Sequence, residues 1–280
     1  MPTLAHALVT TNPTPDRWCL VLHGILGSKT NWRTLCQRAL ARCPGWGFVL
    51  ADLRNHGDSQ GFAPPHTLDR VAADLVALLD TLGHAAPAVI GHSYGAKTAL
   101  ALAQRDPRVA RVLVVDSNPG ARPDYAGSEG TLSVLDTLEA LPPRFARRDD
   151  FLAALTAAGH SRALATWLGT NLVHTPEGAL RFRVDLGAIR AMLDDYFHRD
   201  LWAVVEGAAP PRRVDFLVGG RSNVLDADDL ARLRALHAAR PDAVGFTVSP
   251  EASHWVHVDD PAGTLDAMAV DREACAAGAA

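Results

Sequence analysis

The chain has 280 residues, 48% hydrophobic and 21% charged, which is enough apolar material for one large core or for a core with a smaller insertion. Its net charge is −4 and its basic residues are scattered, so it lacks the electrostatic footprint of a nucleic-acid or anionic-membrane binder. Residues 1–16 show no basic region followed by an apolar run, and no stretch reaches membrane-spanning length, so a cytoplasmic protein is expected. The cysteines Cys19, Cys36, Cys43 and Cys275 have neither CxxC pairing nor metal-ligand spacing; they are expected to be reduced packing residues, with no metal site.

Taken in chain order, short β-branched runs ending in Gly, Asp or Ser predict buried parallel strands. They are Trp18–Leu22, Phe48–Ala51, Ala88–Ile90, Val112–Val115, Val214–Val218 and Val244–Val248, with a possible edge strand around Leu8–Thr10. Between them the apolar spacing predicts helices. Leu68–Leu82 carries Leu68, Val71, Ala72, Leu75, Leu78, Leu79 and Leu82 on one face, with Thr67 as cap and Gly83 as stop. Ala96–Gln104, Ala227–Ala239 and Ala262–Ala276 follow the same pattern, with Ala276–Ala280 a frayed tail. Alternating strands and helices predict an α/β fold with a mostly parallel sheet covered on both faces.

The rhythm breaks from Gly120 to about Ala209. Helical stretches occupy Thr131–Leu141, Asp149–Ala158, Arg162–Leu168 and Leu186–Phe197, with an extended run at Leu180–Val184. The block is too long for an ordinary connection. It predicts a helical insertion, 120–209, in a core domain made of 1–119 and 210–280.

Gly91-His92-Ser93-Tyr94-Gly95 is a G-x-S-x-G between an apolar strand and a helix. A serine on such a sharp turn is strained and needs small neighbours, which Gly91 and Gly95 supply. The helix N-terminus adds positive potential at the reacting carbon. Ser93 is therefore the candidate nucleophile. His23-Gly24-Ile25-Leu26-Gly27-Ser28 follows an early strand, where the loop can donate an oxyanion-hole N–H; the expected donors are the backbones of Ile25 and Tyr94. His254 opens the loop after the last strand, in the Ser…His order the general base should follow. His257 is its rival three residues on.

Together with Asp52-Leu53-Arg54-Asn55-His56-Gly57-Asp58-Ser59, these motifs resemble the α/β-hydrolase superfamily over nearly the whole chain, in its small capped esterase and acyl-CoA thioesterase branch. The resemblance implies an α/β-hydrolase fold whose 120–209 block is a cap, with Arg54 and His56 bracing the oxyanion loop. It also implies a triad acid, and here the chain departs from the usual pattern. The customary acid loop reads Gly219-Gly220-Arg221-Ser222-Asn223-Val224-Leu225-Asp226, with Ser222 at the acid position. Asp116, ending the strand before the cap, is the preferred acid, with Ser222 as a hydrogen-bonding relay; Asp226 is the runner-up and a helix cap. The expected reaction is hydrolysis of a small-molecule ester or thioester through an acyl-enzyme, without cofactor. Trp167, Leu168, Tyr196, Phe197 and Trp202 could line the acyl pocket. Carbon–carbon bond hydrolysis or perhydrolysis would use the same residues, and a ligand-binding receptor on this fold stays open, as does the oligomeric state.

Overall fold

A computed structural model describes residues 2–43, 45–84 and 86–269. The first half of the chain alternates strand and helix. Strands β1 (His6–Val9) and β2 (Arg17–Leu22) precede α1 (Arg33–Leu40); β3 (Trp46–Ala51) leads to α2 (Leu68–Leu82), β4 (Ala88–His92) to α3 (Tyr94–Arg105), and β5 (Arg111–Val115) closes this half. After a long interruption come β8 (Arg213–Gly219), α9 (Ala227–Ala239), β9 (Val244–Ser249), α10 (Val256–Asp259) and α11 (Pro261–Met268). The interruption holds α4 (Glu129–Ala140), α5 (Arg148–Ala157), α6 (Arg162–Leu168), a hairpin of β6 (Leu172–His174) and β7 (Leu180–Phe182), α7 (Leu186–His198) and α8 (Trp202–Glu206).

The main sheet runs β1-β3-β2-β4-β5-β8-β9. All neighbours are parallel except edge strand β1, which pairs antiparallel with β3. Because successive strand residues point to opposite faces, the apolar runs feed two cores at once. Leu20 and Leu22 of β2 join α2 and α3 on one face, while Cys19 and Val21 join α1 and α11 on the other. Thr67 Oγ1 accepts the Arg70 N–H at the start of α2, and Gly83 ends that helix in the left-handed conformation at φ 65°.

Sequence periodicity did not reveal α1, α8, α10 or strand β6. Helix α11 stops at Met268; the remainder of the expected run to Ala276, the tail to Ala280 and Cys275 lie outside the described residues. Cys19 and Cys36 are free and buried, but Cys43 is disulfide-bonded, which corrects the expectation of four reduced cysteines. Spacing along the chain carries no information on which sulfurs the fold brings within bonding range. Among the described residues no helix is long and apolar enough to cross a membrane.

The inserted segment is tied to the core at its base by Lys97 of α3. Its buried ammonium donates to the Gly120 and Tyr196 carbonyls, each at 2.7 Å, and lies over the Tyr196 ring. Burial pulls its pKa down to about 7. Arg122 adds ion pairs to Asp226 and Asp229 at the start of α9.

Candidate active site

The connections after six parallel strands, β2, β3, β4, β5, β8 and β9, converge at their carboxyl ends, the edge where open α/β sheets place their ligands. Ser93 follows β4 directly, at φ 53° and ψ −120°, outside the helical and extended regions. Such a backbone costs about 1–3 kcal/mol and persists only where its surroundings enforce it. Here they do: the Ser93 N–H donates to the Val115 carbonyl, and its own carbonyl accepts from Ala96 and Lys97 in the first turn of α3. The two flanking glycines are required by space. A Cβ on Gly91 would overlap the Gly95 carbonyl, and one on Gly95 would overlap the His23 carbonyl.

Asp116, next after β5, is fully buried and also has a positive φ, 48°. Three donors hold its carboxylate. The Gly219 N–H reaches Oδ1 at 2.9 Å, while Ser222 Oγ at 2.6 Å and His254 Nδ1 at 2.7 Å both reach Oδ2. The His254 ring is 29% exposed, and it lines the same cavity as Ser93. With Nδ1–H committed to the carboxylate, Nε2 is left as the ring's acceptor. Ser222 does not stand between acid and histidine as a relay, since His254 Nδ1 reaches Asp116 directly; it is a separate donor to the same oxygen. Asp226 caps α9, accepting the Asp229 N–H at 2.8 Å, and takes no part in this cluster.

The neighbouring histidines are of a different kind. His92 donates through Nε2 to the His254 carbonyl at 2.8 Å and lies beneath its ring, 4.7 Å between centroids. Burial holds its pKa well below the usual imidazole value. His257 stacks on Trp32 at 4.7 Å, and burial pulls its pKa down to about 4. Among the histidines lining the cavity, His254 alone has a carboxylate partner within the described residues.

The loop after β2 is held from several sides. The Leu26 N–H donates to His56 Nε2 at 3.1 Å, and the Leu26 carbonyl accepts from Asn171 Nδ2 at 2.8 Å. His56 donates in turn from Nδ1 to the Arg54 carbonyl, and the Leu53 N–H donates to His23 Nε2. Burial lowers the pKa of both histidines, His56 to about 3, so both are neutral braces. Arg54 is buried against Asp74 in a two-pronged ion pair. The backbone N–H groups of Ile25 and Tyr94 make no hydrogen bond among the described residues, and Ile25 faces the cavity beside Ser93.

The cavity has a volume of about 360 Å³. Its far wall comes from the inserted segment: Val134 of α4, and Leu164 and Trp167 of α6. Of the five aromatic and apolar residues expected there, only Trp167 lines it. Leu168, Tyr196, Phe197 and Trp202 are buried in the apolar core: Leu168 ends α6, which packs on α5, while α7 and α8 carry the other three against α2 and α3. Trp255, adjacent to His254, was the signal available for the missing wall. Asn171 had none, because it meets Leu26 across 145 residues. Among the described residues, no cluster of three or more His, Cys, Asp or Glu side chains could hold a metal ion.

This sheet order, with a strained serine after β4 and an aspartate after β5 holding a late histidine, defines an α/β hydrolase, and the chain belongs to that fold family, which matches it over residues 18–261. Among its relatives, the sn-1-specific diacylglycerol lipase ABHD11 of Mus musculus is 33% identical over 259 residues, 88% of this chain and 78% of the mouse protein. The corresponding Danio rerio lipase is 29% identical over 247 residues, 86% of this chain and 73% of the fish protein. A marine microorganism esterase shares the fold with a TM-score of 0.79 at 21% identity, covering 96% of this chain and 98% of its own.

Proposed function

We propose that the protein is a serine hydrolase of carboxylic esters or thioesters, acting through an acyl-enzyme on Ser93. The observation that carries this reading is the pairing of His254 Nδ1 with buried Asp116 at 2.7 Å beside a serine held at φ 53° in the same cavity. In this reading His254 Nε2 takes the Ser93 proton as Oγ attacks the carbonyl, and Asp116 stabilises the imidazolium that forms. The N–H groups of Ile25 and Tyr94 hold the oxyanion, aided by the positive end of α3. The leaving alcohol or thiol takes the proton from His254, and water then attacks the acyl-enzyme with His254 again as base. Ser222 and Gly219 N–H fix the carboxylate that orients the ring. Each step uses side chains and backbone of this chain and calls for no cofactor.

The segment 120–209 serves in this reading as a cap that sets substrate choice, over a core of 1–119 and 210–280. Its contribution of Val134, Leu164 and Trp167 to the cavity wall supports that division. The lipase activity named for the mouse and fish relatives supports an ester of a glycerolipid as a candidate substrate. A fluorophosphonate probe should label the wild-type protein and not Ser93→Ala, and a screen over p-nitrophenyl esters, acylglycerols and acyl-CoA thioesters should find turnover. Labelling that persists in Ser93→Ala would overturn the assignment.

A further inference from the structure

A second cavity of about 360 Å³ adjoins the first. The two share Asn31, Leu164, Trp167, Trp255 and His257, so they are divided only by this partition. The core of the partition is an edge-to-face pair, Trp167 against Trp255, with ring centroids 4.8 Å apart. Beyond it the second cavity is bounded by Ala163 of α6 and by Val258 of α10, a valine 63% exposed at the rim. An exposed β-branched side chain beside two tryptophans suits an apolar group, which gains by leaving water there.

The partition also carries unused polarity. His257 Nδ1 and Trp32 Nε1 are buried and have no hydrogen-bond partner among the described residues, and their rings are stacked on one another. Buried polar atoms without partners are uncommon in folded proteins. Both residues line the first cavity, and His257 lines the second as well. The junction between two largely apolar spaces is thus the place where a polar connector would be recognised. Burial keeps His257 neutral, so its ring can give or accept a hydrogen bond there without a charge.

We propose that the second cavity is a substrate subsite, and that the molecule it serves is a two-armed ester: one acyl arm lies in the Ser93 cavity, a second apolar arm lies beyond the Trp167–Trp255 pair, and the polar connector sits against His257. This rests on the serine-hydrolase reading and goes further, since a one-armed ester would leave the second cavity unused.

The test compares 1-hexanoylglycerol with 1,2-dihexanoylglycerol, in the wild type and in Ala163→Trp. Ala163 lies on the exposed side of α6 and lines only the second cavity, so an indole there fills that space from outside. In the wild type the diester should have a KM lower by about tenfold or more, the scale set by burying a few methylenes. In Ala163→Trp that ratio should fall to within about twofold of one. His257→Phe, which keeps the stack on Trp32 and removes the polar atoms, should raise the KM of the diester more than its kcat changes. A wild-type ratio near one, or a ratio that Ala163→Trp leaves intact while the monoester is still turned over, overturns the subsite. Failure of the wild type to hydrolyse either ester, together with no fluorophosphonate labelling of Ser93, would instead remove the hydrolase reading on which the subsite stands.

Discussion

The two walls of the cavity are built on different principles. On the sheet side, Ser93, Asp116, His254 and the loop after β2 sit at the ends of buried parallel strands, each locked by short backbone connections and by hydrogen bonds to neighbouring strands. On the other side, α4 and α6 belong to a segment joined to the sheet through packed side chains and links such as Lys97 to the Gly120 and Tyr196 carbonyls, not through a strand ladder. The strand ends cannot shift without disturbing the ladder, so they suit atoms that must meet within tenths of an ångström. The helices can vary in length and sequence while the sheet stays intact, so they suit the choice of substrate. Asn171 crosses this division: it comes from the inserted segment but holds the Leu26 carbonyl, one peptide from the proposed oxyanion donor Ile25.

The largest expected effects lie on the sheet side. Ser93→Ala and His254→Ala should each lower kcat for ester hydrolysis by about 10⁴-fold or more, with circular dichroism and melting temperature little changed. His257→Ala should lose far less. If that ranking is reversed, the base is His257 and the Asp116 contact is only structural. Asp116→Asn should cost about 10⁴ in kcat, because an amide cannot accept the Nδ1–H and stabilise the imidazolium in the same way. Asp226→Asn should be nearly neutral, since asparagine caps a helix as well as aspartate does.

A smaller effect tests the crossing point. Asn171→Leu should lower kcat about tenfold with little change in KM, because the loss of one hydrogen bond loosens the oxyanion loop and not the substrate wall. Steady-state kinetics on a short ester would measure it, and a change confined to KM would place Asn171 with the substrate-binding helices instead. Trp167→Ala should act in the opposite sense: a shift of up to about tenfold in preference between short and longer acyl chains, with kcat for the shortest ester largely preserved.

The smallest effect concerns stability and pH. His257 and His56 have folded-state pKa values of about 4 and about 3, below the 6.5 of a free imidazole. Below about pH 6.5 the unfolded chain therefore binds more protons than the folded one. Their contribution to stability is present above that pH and is lost as pH falls toward 4. Denaturant midpoints measured between pH 7 and pH 4 should decline, and His56→Asn should flatten the decline, even if its midpoint at pH 7 is lower. An equally steep slope in that variant would show that the braces around the loop do not carry it.

The sequence alone determined the sheet and its sidedness. Continuous apolar runs such as Val112–Val115 have one stable use, a strand buried on both faces, and the periodic stripe of Leu68–Leu82 has one face to bury. It also marked Ser93, because a glycine on each side of a serine between strand and helix answers a purely local steric demand, and it ranked His254 and Asp116 by their places after strands. Tertiary structure decided what local pattern cannot encode. Helix α1 was missed because its outward face is exposed and its apolar face is short, so only packing against β3 and α11 defines it. Whether Ser222 would relay, support or ignore the acid depended on how β8 lies beside β5, and the structure made it a donor to Asp116 alongside His254. Which residues face the cavity depended on how the inserted helices rotate onto the sheet. Tyr196, Phe197 and Trp202 read as well as Trp167 for an apolar wall, since one buried apolar surface resembles another in sequence. Only the choice of partner, made across more than a hundred residues, separated core from cavity.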